Sequence, residues 1–376
     1  MRQTVALIVD AYRELNYKKL FWITLILSAV VVLSFLGVNI NDHGLIIFGK
    51  AWPVPHMAML DRAVFYRLLF LVLGVDIWLT WAATILALVS TAGIFPDLLT
   101  GGSIDLYLSK PISRLRFFLS KYFTGLLFVG LQVGAFSAAS FIVLAIRGQV
   151  WIWGVFLAIP IVLVFYSYLY CVCVLLGVLT RSTLTAILLT ILLWLVITGV
   201  HAVEMKTLSA QFKDGYVRER IERRIENEER NLIAAQKTYA QTLRESRVSF
   251  SQKKIETFRQ DLRENAADIA DDRKWHGRLF LAKTLLPKTS ETVALMQRWL
   301  ASTSAIHGSN PEYERALTED EPRQIGFGRN TDDERAEEAT KKQVLDRPIS
   351  WVVGTSLLFE IAIVSLAAWI FCRRDY

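Results

Sequence analysis

Few residues in this sequence have the types and spacing that chemistry needs. GLIIFGK, Gly44 to Lys50, fills the places of a phosphate-cradling G-x-x-x-x-G-K loop. The next residue should be Ser or Thr to hold magnesium, with a helix after it. Here it is Ala51, and LIIFGKAW reads as a short apolar strand and turn. The five histidines, His43, His56, His201, His276 and His307, show no paired ligand spacing. His201 and Glu204 stand one turn apart at a helix end, a common coincidence. There is no GxSxG elbow and no HExxH helix. Cys171 and Cys173 sit in an apolar run and read as packing, Cys372 ends another such run, and the polar region 202–350 has no cysteine to staple it.

Two carboxylates in apolar surroundings are left, Asp76 and Glu360. A charge at mid-bilayer costs about 3 kcal/mol on insertion scales, so each must face another helix or a wet cavity. An aspartyl-protease dyad would need them at hydrogen-bond distance, and nothing in the sequence brings them together. Each reads either as a substrate or conformational-switch site or as a polar helix–helix contact.

These residues hang on a chain that is 53% hydrophobic, with mean hydropathy +0.36. Six stretches, about 20–38, 68–94, 122–146, 150–179, 184–201 and 351–371, are apolar enough to cross a bilayer at roughly 20 residues each. The expected fold is an all-α membrane protein with six transmembrane helices. A leading helix and five spans occupy 1–201, a large and mainly helical extracytoplasmic insert 202–350, and the sixth span with its tail 351–376. Asp10 and Glu14 interrupt MRQTVALIVDAYRELNYKKL too early for a cleavable signal. It reads as an amphipathic helix on the membrane surface, or as a frayed tail. With six spans both termini share a side. The short segments there carry eleven Lys and Arg against four opposite, which puts both termini in the cytoplasm, the insert outside, and the chain in the cell (inner) membrane. The insert nearly balances, at 27 basic and 26 acidic residues, so the net charge of +7 sits mostly at cytoplasmic membrane edges facing anionic lipid. Nucleic acid is not implied.

Within the insert, residues 216–276 contain neither glycine nor proline, and charges of both signs alternate. Apolar residues recur at steps of three, four and seven in two runs, first Val217, Ile221, Ile225, Leu232, Ala235, Tyr239, Leu243 and Phe250, then Ile255, Phe258, Leu262 and Ile269. That is helix with a narrow apolar seam, like a coiled coil. A hairpin breaking near Ser249–Lys253 would let two halves cover each other's seam; one lone charged helix is the alternative. Residues 279–300 form another helical patch broken by Pro287, and 301–347 is rich in loop-forming residues.

The remaining feature is GGSIDLYLSKPISRLRFFLSKY, Gly101 to Tyr122, between the second and third spans. Pro96 and Gly101–Gly102 end a helix, Pro111 fixes a corner, Ser113 can cap the third span's helix, and Arg114, Arg116 and Lys121 suit headgroups. A compact cytoplasmic knuckle of this kind can carry force from a partner, or it can simply fix topology.

The segment resembles the signature loop of ATP-binding-cassette permeases of the type-two exporter family, in which an E/D…SGTIDLLLSKPISR…LLGKF pattern joins the second and third spans. The matching residues are Asp97, Gly102, Ile104, Asp105, Leu106, Leu108, Ser109, Lys110, Pro111, Ile112, Ser113, Arg114 and Lys121. AYRELNYKKLFWITL is similar to the family's amphipathic leading helix, with Arg13 and Glu14 in its RE position, and FCRRDY to its basic tail. The resemblance covers roughly the 230 residues outside the insert. It implies that two such subunits pair, as a homodimer or heterodimer, and dock two cytoplasmic ATPase subunits. The leading helix and the loop, including Gly101, would make that contact. ATP and magnesium would be bound by the partner, and this chain would be no enzyme itself. The expected function is a permease that couples a partner's ATP hydrolysis to export or to mechanical work. In the family the region between spans five and six is usually much shorter. A hairpin this long could bind an extracytoplasmic partner, gate a lipid-linked or polymeric substrate, or transmit motion. The alternatives are a membrane anchor whose hairpin recruits an envelope partner without transport, and an ion-coupled transporter using Asp76 and Glu360. No internal repeat supports the last.

Overall fold

A computed structural model of the chain describes residues 19–41, 44–47, 50–52, 62–100, 113–149, 151–238, 241–306 and 331–373. Arg13, Glu14, Gly101, Gly102, Asp105, Lys110 and Pro111 lie outside them. The chain divides into two compact units, the first built from 1–197, 286–319 and 348–376, the second from 198–285 and 320–347.

Lipid supplies no hydrogen-bond partners, so an apolar run must satisfy its backbone internally, and a helix does so. The first helices are α1 (Lys19–Gly37), α2 (Arg62–Leu69), α3 (Thr84–Thr91), α4 (Ile94–Thr100), α5 (Arg114–Gly148) and α6 (Ala158–Thr180). After them come α7 (Thr183–Thr238), α8 (Gln241–Leu285), α9 (Thr289–Ile306), α10 (Thr331–Leu345) and α11 (Thr355–Arg373). Among the described residues six helices are long and apolar enough to cross a membrane: Lys19–Gly37, Phe65–Leu99, Arg114–Gly148, Trp153–Thr180, Thr183–Ala234 and Ser350–Arg373.

In the first unit α6 is the central element, packed against α5, α9 and α11. Phe165 through Val174 are buried on every side of it. In lipid the apolar effect does not drive helices together, so close van der Waals packing and internal polar contacts must hold this bundle. The second of these apolar helices is not uniformly α-helical. From Phe70 to Ala83 it takes a wide π turn, with the Thr80 and Thr84 hydroxyls donating to carbonyls five residues back, Val75 O and Leu79 O, each at 2.8 Å. The interruption expected at Pro96 falls earlier, at the Ala92–Gly93 turn. Pro96 sits in the first turn of α4, where its missing N–H leaves no bond unmade.

The all-α expectation needs one correction. Val38–Asn41, Gly44–Ile47 and Lys50–Trp52 form a small antiparallel sheet, β1 to β3, paired Val38 with Ile47 and Ile47 with Lys50. Both ends of LIIFGKAW are therefore strand, as its apolar β-branched residues required, and the phosphate-loop match runs into β3 where it needs a helix.

In the second unit the later part of α7 and all of α8 run antiparallel. Ser251 donates to Glu228 at 2.8 Å and Arg259 to Glu229 at 3.3 Å, while Lys283 reaches Glu204. The stretch Ser249–Lys253, where a break was expected, lies inside α8 and is helical throughout. Ser251 is buried as a cross-helix contact, and nothing around it stops a helix. Of the apolar seam, Ile255 is buried, but Phe250 points outward beneath Lys254, whose Nζ lies 4.8 Å from its ring centre. Part of the stretch assigned to loops is the helix α10. Asp332, Asp333 and Glu334 occupy its first turn, where negative charge meets the helix dipole. Asp332 pairs with Arg220, Asp333 with Lys213 at 2.9 Å, and Ala336 and Thr340 form its buried face.

Candidate functional site

Glu360 stands in the second turn of α11, half-buried, and its two oxygens accept from two other helices. Tyr122 Oη of α5 donates to Oε1 at 2.8 Å, and Ser167 Oγ of α6 donates to Oε2 at 2.7 Å. No basic side chain among the described residues lies within salt-bridge distance of it. Tyr168 is fully buried, and its hydroxyl has no hydrogen-bond partner of good geometry. Tyr122 stacks on Tyr170 with centroids 5.2 Å apart, and Tyr170 stacks on Tyr166 at 5.6 Å. The Tyr166 hydroxyl shares a 2.6 Å hydrogen bond with Thr91. Because α6 is covered all round, its tyrosines place hydroxyls on several faces of the bundle interior. Gly125 makes the room: a Cβ there would sit 2.3 Å from Tyr170 Oη.

Asp76 lies inside the π segment and accepts from Gln297 of α9 at 3.2 Å. Asp76 and Glu360 therefore have separate partners and form no dyad. Widened turns of this type often mark functional positions. Beside them Lys288, deeply buried at the start of α9, donates its backbone N–H to Ser356 at 2.9 Å and its Nζ to Thr355 at 2.6 Å. Its ammonium also lies 5.0 Å from the centre of the Trp351 ring. Lys288 pins α9 to the start of the last span, a role no local pattern signals.

Of the coupling-loop candidates, Asp97 and Arg114 are described. Asp97 is exposed in the first turn of α4, its carboxylate against Gly93, where a Cβ would come within 2.8 Å of Oδ2. Ser113 caps α5, accepting from Arg116 N at 3.3 Å. Arg114 Nη1 donates to the Cys372 carbonyl at 3.2 Å, a cation on the last turn of α11. Cys171 and Cys173 are buried, and the Cys171 thiol donates to Tyr168 O at 3.1 Å.

The second unit holds a polar centre of its own, beyond the apolar run that ends near His201. Glu204 is fully buried and bonded by Lys283 and Arg347. Lys283 Nζ also donates to His201 Nδ1 at 2.7 Å, and His276 Nε2 stands 4.0 Å from Glu204 Oε1. Burial alone would raise the Glu204 carboxyl, but the Arg347 and Lys283 bonds outweigh it and hold the group below its ordinary value. Burial pushes His276 down. The His201–Glu204 spacing that looked accidental is thus half of an ion cluster, and its cationic half comes from α8 and the residues after α10.

No family model matches the chain, and no curated protein or solved structure matches it either.

Proposed function

We propose that the chain is the membrane subunit of an ATP-binding-cassette exporter of the type-two family. It is a six-span permease with both termini in the cytoplasm and its polar helix pair outside. It pairs with a second permease subunit and couples ATP hydrolysis by a cytoplasmic ATPase to export or to mechanical work. One observation carries this reading: the IDLYLSKPISR sequence between the second and third spans, flanked by Asp97 on one side and basic residues on the other. The number of apolar helices agrees with it. The antiparallel pair of α7 and α8 is the departure from the family and supports an extracytoplasmic partner or a polymeric or lipid-linked substrate.

The test is purification of the intact protein in mild detergent, with identification of co-purifying chains and an ATP hydrolysis assay. A stoichiometric ATPase is expected, lost with Lys110→Glu. Lys110 is a better choice than Arg114, because Arg114 also holds the Cys372 carbonyl. An envelope partner with no ATPase would overturn the permease reading in favour of a membrane anchor.

A further inference from the structure

Glu360 poses a charge problem that its neighbours leave unsolved. The carboxylate sits in a membrane-spanning helix, both oxygens accept from hydroxyls, and no basic side chain among the described residues neutralises it. Hydroxyl donors solvate a carboxylate but leave its full charge in place, and a charge at that depth is costly. The titratable groups near it on the helices packed on α11 are Tyr122 of α5 and Tyr168 and Cys171 of α6, none of them cationic; the buried Lys288 ammonium reaches α11 at Thr355, more than a turn earlier, and makes no ion pair with Glu360.

We propose that Glu360 is the anionic centre of an exchangeable monovalent-cation site, with the hydroxyl oxygens of Tyr122, Ser167 and Tyr168 completing its shell. Tyr168 is the second observation pointing to a ligand: it follows Ser167 on α6, and its hydroxyl is fully buried with no hydrogen-bond partner of good geometry. Tyr122 and Ser167 spend their protons on the carboxylate and keep lone pairs for a cation. The donor set is all oxygen with a single formal charge. That suits a proton or an alkali ion and is too poor for calcium, which takes six to eight oxygens and usually several carboxylates. Soft metals are disfavoured, since the nearby Cys171 thiol is engaged with the Tyr168 carbonyl. The site draws on α5, α6 and α11, so a bound cation biases the packing of three spanning helices at once. This inference is independent of ATPase coupling and would survive if no ATPase co-purified.

The experiment is difference infrared spectroscopy on the full chain in phospholipid nanodiscs. One arm exchanges sodium for choline at constant pH and ionic strength; the other steps pH at constant sodium. A carboxyl band that responds in wild type and Asp76→Asn, and is lost in Glu360→Gln, is expected. A response in the sodium arm identifies an alkali ion, and one in the pH arm alone identifies a proton. Identical responses from wild type and Glu360→Gln in both arms overturn the site. Should Glu360→Gln fail to fold, Tyr168→Phe and Ser167→Ala keep the carboxylate and remove shell oxygens. Each should shift the midpoint of the response, and unmoved midpoints in both would overturn the site equally.

Discussion

The Tyr122 hydroxyl of α5 donates to Glu360 Oε1 of α11 at 2.8 Å, joining two residues that lie 238 apart in the chain. The polar region 202–350 separates the two spans in sequence, yet the bundle closes around this bond. Interhelical hydrogen bonds in membranes average about 0.6 kcal/mol and reach about 1.7. Tyr122→Phe should therefore lower stability by about 1 kcal/mol in detergent unfolding. In a double-mutant cycle with Glu360→Gln the two changes should be non-additive; additivity would show that the bond contributes nothing.

Gly125 is set by a rigid neighbour. A Cβ would sit 2.3 Å from Tyr170 Oη and 2.6 Å from its Cζ, and an aromatic ring in a packed bundle cannot step aside cheaply. Gly125→Ala should destabilise by about 1–3 kcal/mol, the usual cost of overpacking. Tyr170→Phe should rescue it only partly, because Cζ stays; full rescue would need a smaller residue such as Leu. A thermal melt of the single and double variants decides this.

The buried ion cluster of the second unit should respond sharply to loss of one partner. Lys283→Met leaves Glu204 with Arg347 and the histidines, and removing one member of a buried pair typically costs about 3–5 kcal/mol. Replacing Glu204, Lys283 and Arg347 together by apolar residues should be milder than Lys283→Met alone. Hydrogen exchange of the amides around residues 200–208 and 276–285 measures the effect, and equal protection in wild type and Lys283→Met would refute it.

The same cluster sets an acid limit. Both shifts, in His276 and in Glu204, are downward, so the unfolded chain takes up each proton first and stability rises with pH. The His276 contribution is whole above its ordinary value of 6.5 and fades as pH falls below it, whereas the Glu204 contribution fades below 4.5. Exchange protection at the base of the α7–α8 pair should therefore drop in two stages on acidification. His276→Phe should remove the first stage and leave the second.

The pairing of α7 with α8 has a direct geometric test. Cysteines placed at Glu228 and Ser251, which touch at 2.8 Å in the wild type, should join through a short bis-maleimide linker. A break near Ser249–Lys253 would carry residue 251 away from 228 and favour other pairs. Efficient linking of 228 with 251 supports the observed register, and failure would argue against it.

Much of the fold was legible in the sequence, and the reason is local. Whether a stretch prefers lipid and helix is a sum over its own residues, so the apolar runs, the strand character of LIIFGKAW and the Ser113 cap can all be read from a window of a few residues. The phosphate-loop match breaks down for the same local reason, since Ala51 lies in a strand where that motif needs Ser or Thr leading into a helix. The tertiary structure alone decided which polar residues meet. Glu204 meets Lys283 and Arg347 across 79 and 143 residues, Asp76 meets Gln297 across 221, and Glu360 meets Tyr122 and Ser167 rather than Asp76. It also kept Ser249–Lys253 helical within α8, because where a helix pair can turn depends on which faces the two helices bury against each other. A propensity is a property of a segment; a buried polar contact is a property of a pair, and only packing chooses the pair.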